Sequence, residues 1–147
     1  MFDIKTVIAI GSDHAGFELK EYLIDHLSKE GYLFKDYGTY DKESVDYPDY
    51  AHALAKDISN GNMSIGILIC GTGNGISMTA NKHPHVRCAL CWNKEIAELS
   101  RMHNNANILA LPGRFIDFEL ASEVVKLFLK TPFEGGRHQR RIEKMDI

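Results

Sequence analysis

Residues 65–75, IGILICGTGNG, decide the fold class of this 147-residue chain. Ile65–Cys70 is a continuous apolar run, a pattern typical of a strand buried on both faces of a parallel sheet. The glycine-rich segment Gly71–Gly75 follows at once and leads into a helix that we predict over Ile76–Lys82. A buried strand, a glycine turn and a helix in succession predict one unit of an α/β fold.

The same alternation continues along the rest of the chain. Apolar runs rich in β-branched residues predict four more strands, Thr6–Ile10, Tyr32–Asp36, Val86–Cys91 and Ile108–Leu111. Apolar residues at helical spacing predict helices over Phe17–Leu27, Pro48–Ile58, Asn93–Met102 and Ile116–Leu129. Because strand–helix–strand connections are right-handed, such a chain places helices on both faces of its sheet. We therefore expect a single domain over residues 1–147, an α/β fold built as a three-layer α/β/α sandwich with a five-stranded parallel, Rossmann-like sheet.

Composition and charge exclude several classes of protein. Hydrophobic residues make up 44% and charged residues 25% of the chain, as in ordinary globular domains. Residues 1–60 carry six lysines and twelve acidic residues, whereas residues 61–147 carry all six arginines, five lysines and eight acidic residues. The net charge of -3 argues against general nucleic-acid binding, which needs a basic excess on one face. Arginines confined to one part of the chain indicate a local anion site instead.

Membrane insertion and disulfide formation are not expected either. No apolar run reaches the roughly 18 residues that a membrane-spanning helix needs. The N-terminal residues MFDIKTVIAI lack the features of a secretion signal. Three cysteines, Cys70, Cys88 and Cys91, cannot all pair within the chain. We expect reduced thiols and a cytoplasmic location.

Glycine and polar residues follow three of the predicted strands, as Gly11–His14, Cys70–Gly73 and Pro112–Arg114. The carboxyl ends of parallel strands meet at one edge of a sheet, where ligands of such folds bind. Cys70 and the glycines after it are the sharpest candidate, because the loop amides and the following helix N-terminus can hold an oxyanion and favour a thiolate. The alternative is a core cysteine with glycines that serve only the turn.

Phosphate-binding loops of other classes do not fit this segment. A Walker loop needs a lysine after its last glycine, and a cysteine phosphatase needs an arginine six positions after its nucleophile. Ile76 occupies both positions. A dinucleotide-binding loop needs the spacing GxGxxG, whereas the chain has GTGNG.

Two pairs of residues have both a functional and a structural interpretation. Asp13 and His14 can bind a ligand at the sheet edge, or Asp13 can simply cap the helix that follows. His103 and Asn104 come at the end of a predicted helix, where an exposed histidine can interact with the helix dipole alone.

Cys88 and Cys91 form a CxxC motif near His83 and His85, which suggests a zinc site. Residues three apart in a strand face opposite sides, however, and the spacing of a structural zinc site is missing. We therefore expect core cysteines and no metal. The polar, basic tail over about 134–147 is either a solvated segment or a phosphate-binding one. Its richness in arginine rather than lysine favours bidentate recognition of phosphate.

Six segments of the chain resemble the ribose-5-phosphate isomerase B family, which also includes galactose-6-phosphate and allose-6-phosphate isomerases. They are SDHAGFELK (12–20), DYPDYA (46–51), GILICGTGNGIS (66–77), ANK (80–82), LSRMHNNANILALPGR (99–114) and EGGRHQRRIE (134–143). The resemblance implies interconversion of ribose 5-phosphate and ribulose 5-phosphate in the pentose phosphate pathway, with no metal or other cofactor. It also implies a homodimer, or a tetramer of two dimers, with sites shared between subunits.

Roles follow from the resemblance, position by position. Cys70 matches the base that removes the substrate's carbon-bound proton, and His103 the acid that opens the sugar ring. Asp13 and His14 match residues that hold the sugar and phosphate ends. The remaining matches are the loop around the enediolate (Gly71, Thr72, Gly73, Asn74 and Gly75), a further substrate contact (Asn104) and a phosphate clamp (Arg114, Arg137 and Arg141). Within this set we expect Cys70, His103, Thr72 and Asp13 to be catalytic.

Two alternatives stay open. A hexose-6-phosphate isomerase of the same family would use the same chemistry in a roomier pocket. A sugar-phosphate-binding regulator without turnover would need neither proton-transfer residue, so the presence of both Cys70 and His103 counts against it.

Overall fold

The computed structural model describes residues 2–147, along which strands and helices alternate. The strands are β1 (Val7–Ser12), β2 (Leu33–Asp36), β3 (Gly66–Cys70), β4 (Cys88–Leu90) and β5 (Ile108–Pro112). The helices are α1 (Phe17–Ser28), α2 (Tyr47–Ser59), α3 (Asn74–Ala80), α4 (Lys94–Asn104), α5 (Phe118–Lys130) and α6 (Arg137–Glu143). Within residues 2–147 no helix has both the length and the apolar character needed to cross a membrane.

All five strands run parallel in the order β2-β1-β3-β5-β4. The apolar run that predicted the fold is the central strand, and all five residues of β3 are buried. In its register Ile67 pairs with Ile10 on one side, and Ile69 pairs with Leu111 on the other. The predicted five-stranded parallel sheet is confirmed.

Alternate residues of each central strand enter different cores. Ile67 and Ile69 pack with α1, α4 and α5 on one face of the sheet. Leu68 and Cys70 pack with α2 and α3 on the other face. Because side chains alternate along a strand, one apolar run supplies both cores. The three-layer sandwich is therefore also confirmed.

The fourth strand is shorter than predicted, Cys88–Leu90 instead of Val86–Cys91. The N–H of Val86 donates to the carbonyl of His83 in a turn. The N–H of Arg87 donates to a side chain, Asn107 Oδ1, at 2.8 Å. Because a turn takes the Val86 donor and a side chain takes the Arg87 donor, the pairing of β4 with β5 starts only at Cys88.

Helix boundaries shift at two positions that matter for the site. The helix after the glycine loop begins at Asn74 rather than Ile76. The helix predicted to end at Met102 continues to Asn104, where Asn105 in the left-handed conformation ends it. His103 is therefore in the last turn of α4.

The basic tail contains a helix, α6, that the sequence pattern did not indicate. Its buried face consists of His138 and Ile142, four residues apart. A single aliphatic residue in seven is too weak an amphipathic signal to predict a helix. The tail is nevertheless packed against the end of α4.

Candidate active site

Backbone hydrogen bonds join the three segments that follow β1, β3 and β5. The N–H of Asp13 donates to the carbonyl of Ile69 at 3.2 Å. The N–H of Gly113 donates to the carbonyl of Cys70 at 2.9 Å, and that of Arg114 donates to the carbonyl of Gly71 at 3.0 Å. The sheet therefore brings Asp13, Cys70 and Arg114 together at its carboxyl edge, as predicted from the strand ends.

Cys70 is the last residue of β3 and is 5% exposed, next to a loop with free backbone donors. Within residues 2–147, the N–H groups of Gly71, Thr72, Gly73 and Gly75 have no acceptor. Asn74 N–H donates to Thr72 Oγ1 at 3.2 Å, which leaves the hydroxyl hydrogen of Thr72 free. A cluster of unpaired amides beside a thiol is suited to an oxyanion.

The loop conformation depends on glycine at positions 73 and 75. Gly73 has φ +77°, and a Cβ there would overlap the side chain of Leu90 and lie 3.2 Å from the carbonyl oxygen of Leu111. A Cβ on Gly75 would lie 2.5 Å from Tyr47 Cζ, because the tyrosine ring covers the loop. Tyr47 belongs to the DYPDYA segment, and sequence reasoning assigned it no site role.

Asp13 and His14 are held by local hydrogen bonds. Asp13 is buried, and its Oδ1 accepts from the N–H groups of Ala15 at 2.9 Å and Gly16 at 3.1 Å. These bonds close the turn before α1, whose N-cap is Gly16 and has no side-chain cap, so Asp13 does not cap the helix itself. Its Oδ2 has no partner within residues 2–147. His14 Nδ1 accepts from Val45 N–H at 3.1 Å, so the neutral ring carries its proton on Nε2. Asp13 Oδ2 and His14 Nε2 are both available to a ligand.

An ion pair formed by a buried lysine fixes the loop that contacts β1 at this edge. Lys20 is fully buried, and its Nζ lies 2.7 Å and 2.9 Å from the two carboxylate oxygens of Asp36. Asp36 Oδ1 also accepts from Gly38 N–H at 2.8 Å, and the Gly38 carbonyl accepts from Ser12 N–H at 2.7 Å. No sequence pattern distinguishes this lysine from a surface one, and sequence reasoning missed it.

His103 and Asn104 lie at the opposite edge of the sheet. The helix α4 begins after the carboxyl end of β4 and ends just before the amino end of β5. With 11 residues at about 1.5 Å each, it carries the chain about 16 Å back across the sheet. One chain therefore does not bring His103 to Cys70.

The arginines of the predicted clamp are also divided between the two edges. The guanidinium of Arg114 lies over Gly71, since a Cβ there would be 3.5 Å from its Nη1. Arg137 and Arg141 are on α6 with His138, whose ring stacks on that of His103 at a centroid distance of 4.3 Å. The three arginines thus form two groups within one chain.

Among residues 2–147, one group of three side chains offers metal-ligating atoms close together. Atoms of His103, Glu134 and His138 all lie within 4.8 Å of one another. The two imidazole rings are inclined by only 14°, so their in-plane lone pairs run side by side instead of converging on one ion. The geometry favours stacking over chelation.

Cys88 and Cys91 enter opposite cores, as predicted from their spacing. Burial raises the pKa of the Cys88 thiol to about 12 and that of the Cys91 thiol to about 11. His83 Nε2 is 2.7 Å from His52 Nδ1 and not paired with a cysteine. Cys88 and Cys91 are core residues.

The conformation and crowding at Gly73 predict a loss of stability when this glycine is replaced. Gly73→Ala should lower the free energy of unfolding by about 3 kcal/mol, since a left-handed φ and crowding against Leu90 both oppose the methyl group. Gly61→Ala is the matched control, because Gly61 has φ +79° with nothing within 4 Å, and it should cost only about 1 kcal/mol. Urea unfolding measures both, and equal losses would show that the Gly73 methyl meets no crowding.

Comparisons with known proteins identify relatives that are similar in sequence and fold. Residues 8–145 match the family model for ribose/galactose isomerase. Ribose-5-phosphate isomerase B of Escherichia coli is 46% identical over 136 residues, which cover 92% of this chain and 91% of that protein. A structure of a ribose 5-phosphate isomerase from Thermotoga maritima superposes with a TM-score of 0.94 at 54% identity, covering 97% of this chain and 98% of that one.

A third similar protein has a ligand bound. Ribose-5-phosphate isomerase B from Mycoplasma genitalium, with ribulose 5-phosphate, superposes with a TM-score of 0.91 at 43% identity. The match covers 97% of this chain and 95% of that one. With a family model that spans nearly all of its length and relatives well above 40% identity, this chain belongs to the ribose/galactose isomerase family.

Proposed function

We propose that this protein interconverts ribose 5-phosphate and ribulose 5-phosphate, in sites that two copies of the chain build together. The observation that carries the proposal is the buried Cys70 beside four unpaired loop amides. Such a pairing of base and oxyanion site is what aldose–ketose isomerisation requires. The relatives named for this activity, one of them with ribulose 5-phosphate bound, support the same substrate.

The proton transfer takes place at the Cys70 half of the site. The thiolate removes the proton from carbon 2 of the open-chain aldose, and that electron pair becomes the carbon 1–carbon 2 double bond of an enediolate. The negative charge develops on oxygen 1, where the four unpaired loop amides stabilise it. Cys70 returns the proton to carbon 1, while the proton of the 2-hydroxyl moves to oxygen 1 by way of the free hydroxyl of Thr72. Proton transfers alone complete the reaction, without a metal or other cofactor.

The sugar ring must open before this step, and the open aldehyde must be held. His103 supplies the proton to the ring oxygen, since a histidine side chain can both give and take a proton. Asn104, beside it, contacts the sugar. Asp13 binds sugar hydroxyls through Oδ2, and His14 donates from Nε2 to the phosphate end.

The substrate phosphate joins the two halves. Arg114 approaches it from the carboxyl edge of one copy, and Arg137 and Arg141 approach from α6 of the second copy. Planar guanidinium groups bind phosphate oxygens in pairs, which fixes the substrate's orientation. The basic tail over 134–147 is thus part of the site.

A second copy is further supported by exposed aromatic side chains around the loop. Trp92 is 53% exposed and Phe115 is 74% exposed, on a groove that they share with Thr72 and Asn74. Exposed apolar surface of this kind marks protein interfaces. A partner that covers it would also deliver His103 to the loop.

The three free thiols fit a reducing, cytoplasmic compartment.

Turnover by the purified protein tests the substrate assignment. We expect conversion of ribose 5-phosphate that persists after treatment with a chelator. Allose 6-phosphate and galactose 6-phosphate, tested beside it, should give a lower kcat/KM. Preference for a six-carbon sugar would favour the hexose-phosphate alternative, and phosphate-dependent binding without any turnover would favour a regulator.

Cys70→Ala should remove the base and leave binding intact. Exchange of the carbon 1 proton of ribulose 5-phosphate with deuterated water, followed by NMR, reports that step alone. We expect it to fall by about 10²- to 10⁴-fold, the usual contribution of a general base, while the Kd for ribose 5-phosphate changes little. Cys88→Ala, which also removes a buried thiol, is the control and should exchange normally. Normal exchange by Cys70→Ala would remove the cysteine from the mechanism.

His103→Asn should impair only substrates that must open a ring. The kcat/KM for ribose 5-phosphate should fall by about 10²-fold or more. 4-Deoxyribose 5-phosphate lacks the hydroxyl that closes the ring, and its turnover should change little. His26→Asn, a partly exposed histidine on α1, should affect neither substrate. Equal losses on both sugars would contradict a ring-opening role.

A further inference from the structure

We propose that His138 and Glu134 are positioning residues for the ring-opening histidine. His138 holds the imidazole of His103 face to face, and Glu134 holds His138. The inference rests on the role proposed above for His103. It adds two residues that touch neither the sugar nor its phosphate.

The stack is the principal restraint on the His103 ring. The ring centroids of His103 and His138 are 4.3 Å apart, and the ring planes differ by 14°. Neither nitrogen of His103 makes a hydrogen bond within residues 2–147, and the residue is only partly buried in the last turn of α4. A face-to-face contact fixes the ring plane and leaves both nitrogens free at the ring edge. His103 can therefore present a nitrogen to a sugar while its plane stays constant.

His138 itself is rigidly placed. It is 4% exposed, and its Nε2 is buried without a hydrogen-bond partner. Glu134 Oε1 lies 3.5 Å from that nitrogen and belongs to the segment before α6, four residues earlier in the chain. Buried polar atoms are normally paired, and a shift of under 1 Å by the half-exposed Glu134 side chain would complete the bond. The proposal therefore assigns Glu134 as the acceptor that would set the orientation of the His138 ring.

Backbone contacts tie this pair to α4. The N–H of Glu134 donates to the carbonyl of Met102 at 3.0 Å. Arg101 is buried, and its Nε donates to the carbonyl of Thr131 at 3.2 Å, while Nη1 donates to Asn105 Oδ1 at 3.0 Å. The end of α4 and the segment that leads into α6 therefore form one rigid unit, which carries the acid together with Arg137 and Arg141.

Ring opening is the one step that needs His103, because Cys70 and the loop that bears the enediolate lie at the other edge of the sheet, whereas Arg137 and Arg141 on the same unit bind the phosphate of ring-closed and open-chain sugars alike. A positioning role therefore predicts losses confined to ring-closed substrate. A general loss of structure would affect every substrate equally.

The test compares His138→Ala, His138→Phe and Glu134→Ala with Gln139→Ala as the matched control. Gln139 is exposed on the same helix and bonds only to Glu143. Supporting groups of this kind are worth about 10- to 100-fold, so His138→Ala should lower kcat for ribose 5-phosphate by that amount while KM changes little. His138→Phe keeps a flat ring in the stack and should recover part of the loss. Glu134→Ala, an exposed change that cannot disturb a core, should lower kcat by about 3- to 10-fold.

Turnover of 4-deoxyribose 5-phosphate distinguishes the possible results. Unchanged rates with this substrate, next to the losses on ribose 5-phosphate, establish the positioning role. Equal losses on both sugars, or His138 and Glu134 variants that match Gln139→Ala, would overturn it. If His103→Asn itself lost turnover of both sugars equally, the proposed role of His103 would be contradicted, and this inference with it.

Discussion

The direction of a parallel sheet is the constraint on which the rest of this structure depends. Every strand ends at the same edge, so every connecting helix must return the chain to the other edge. Cys70 ends β3 and His103 ends α4, and they consequently lie on opposite sides of one molecule. No loop movement within a chain can close a gap that the topology imposes. A site that needs both residues must be made by two copies.

In the two-copy site proposed above, each half is rigid within its own chain. At the carboxyl edge, the ion pair between buried Lys20 and Asp36 fixes the loop next to β1, and the left-handed Gly73 fixes the loop after Cys70. At the other edge, buried Arg101 joins the end of α4 to Thr131, in the segment that leads into the tail. Preorganised donors stabilise developing charge without further reorganisation, which is the main source of electrostatic catalysis. The three arginines of the proposed phosphate clamp are divided between these two halves.

The central strand and the carboxyl-edge residues could be predicted from the sequence, because a continuous apolar run and the meeting of strand ends are both local rules. Other features depend on contacts between distant residues. Asn107 captures the Arg87 amide and shortens β4, and α6 forms on one aliphatic residue because α4 supports it. The burial of Lys20 and the stacking of His138 on His103 have no sequence signal, since both residue types are usually exposed or partly exposed.

Mixing two inactive variants tests most directly whether two copies of the chain build each site. Cys70→Ala and His103→Asn chains, unfolded together and refolded, should form mixed dimers in which one of two sites has both residues intact. With random assortment, about a quarter of wild-type activity should return. A mixture of Cys70→Ala and Asp13→Ala, both defective at the carboxyl edge, should stay inactive. Mixed dimers of Cys70→Ala and His103→Asn that form but regain no activity would show that each chain builds its site alone.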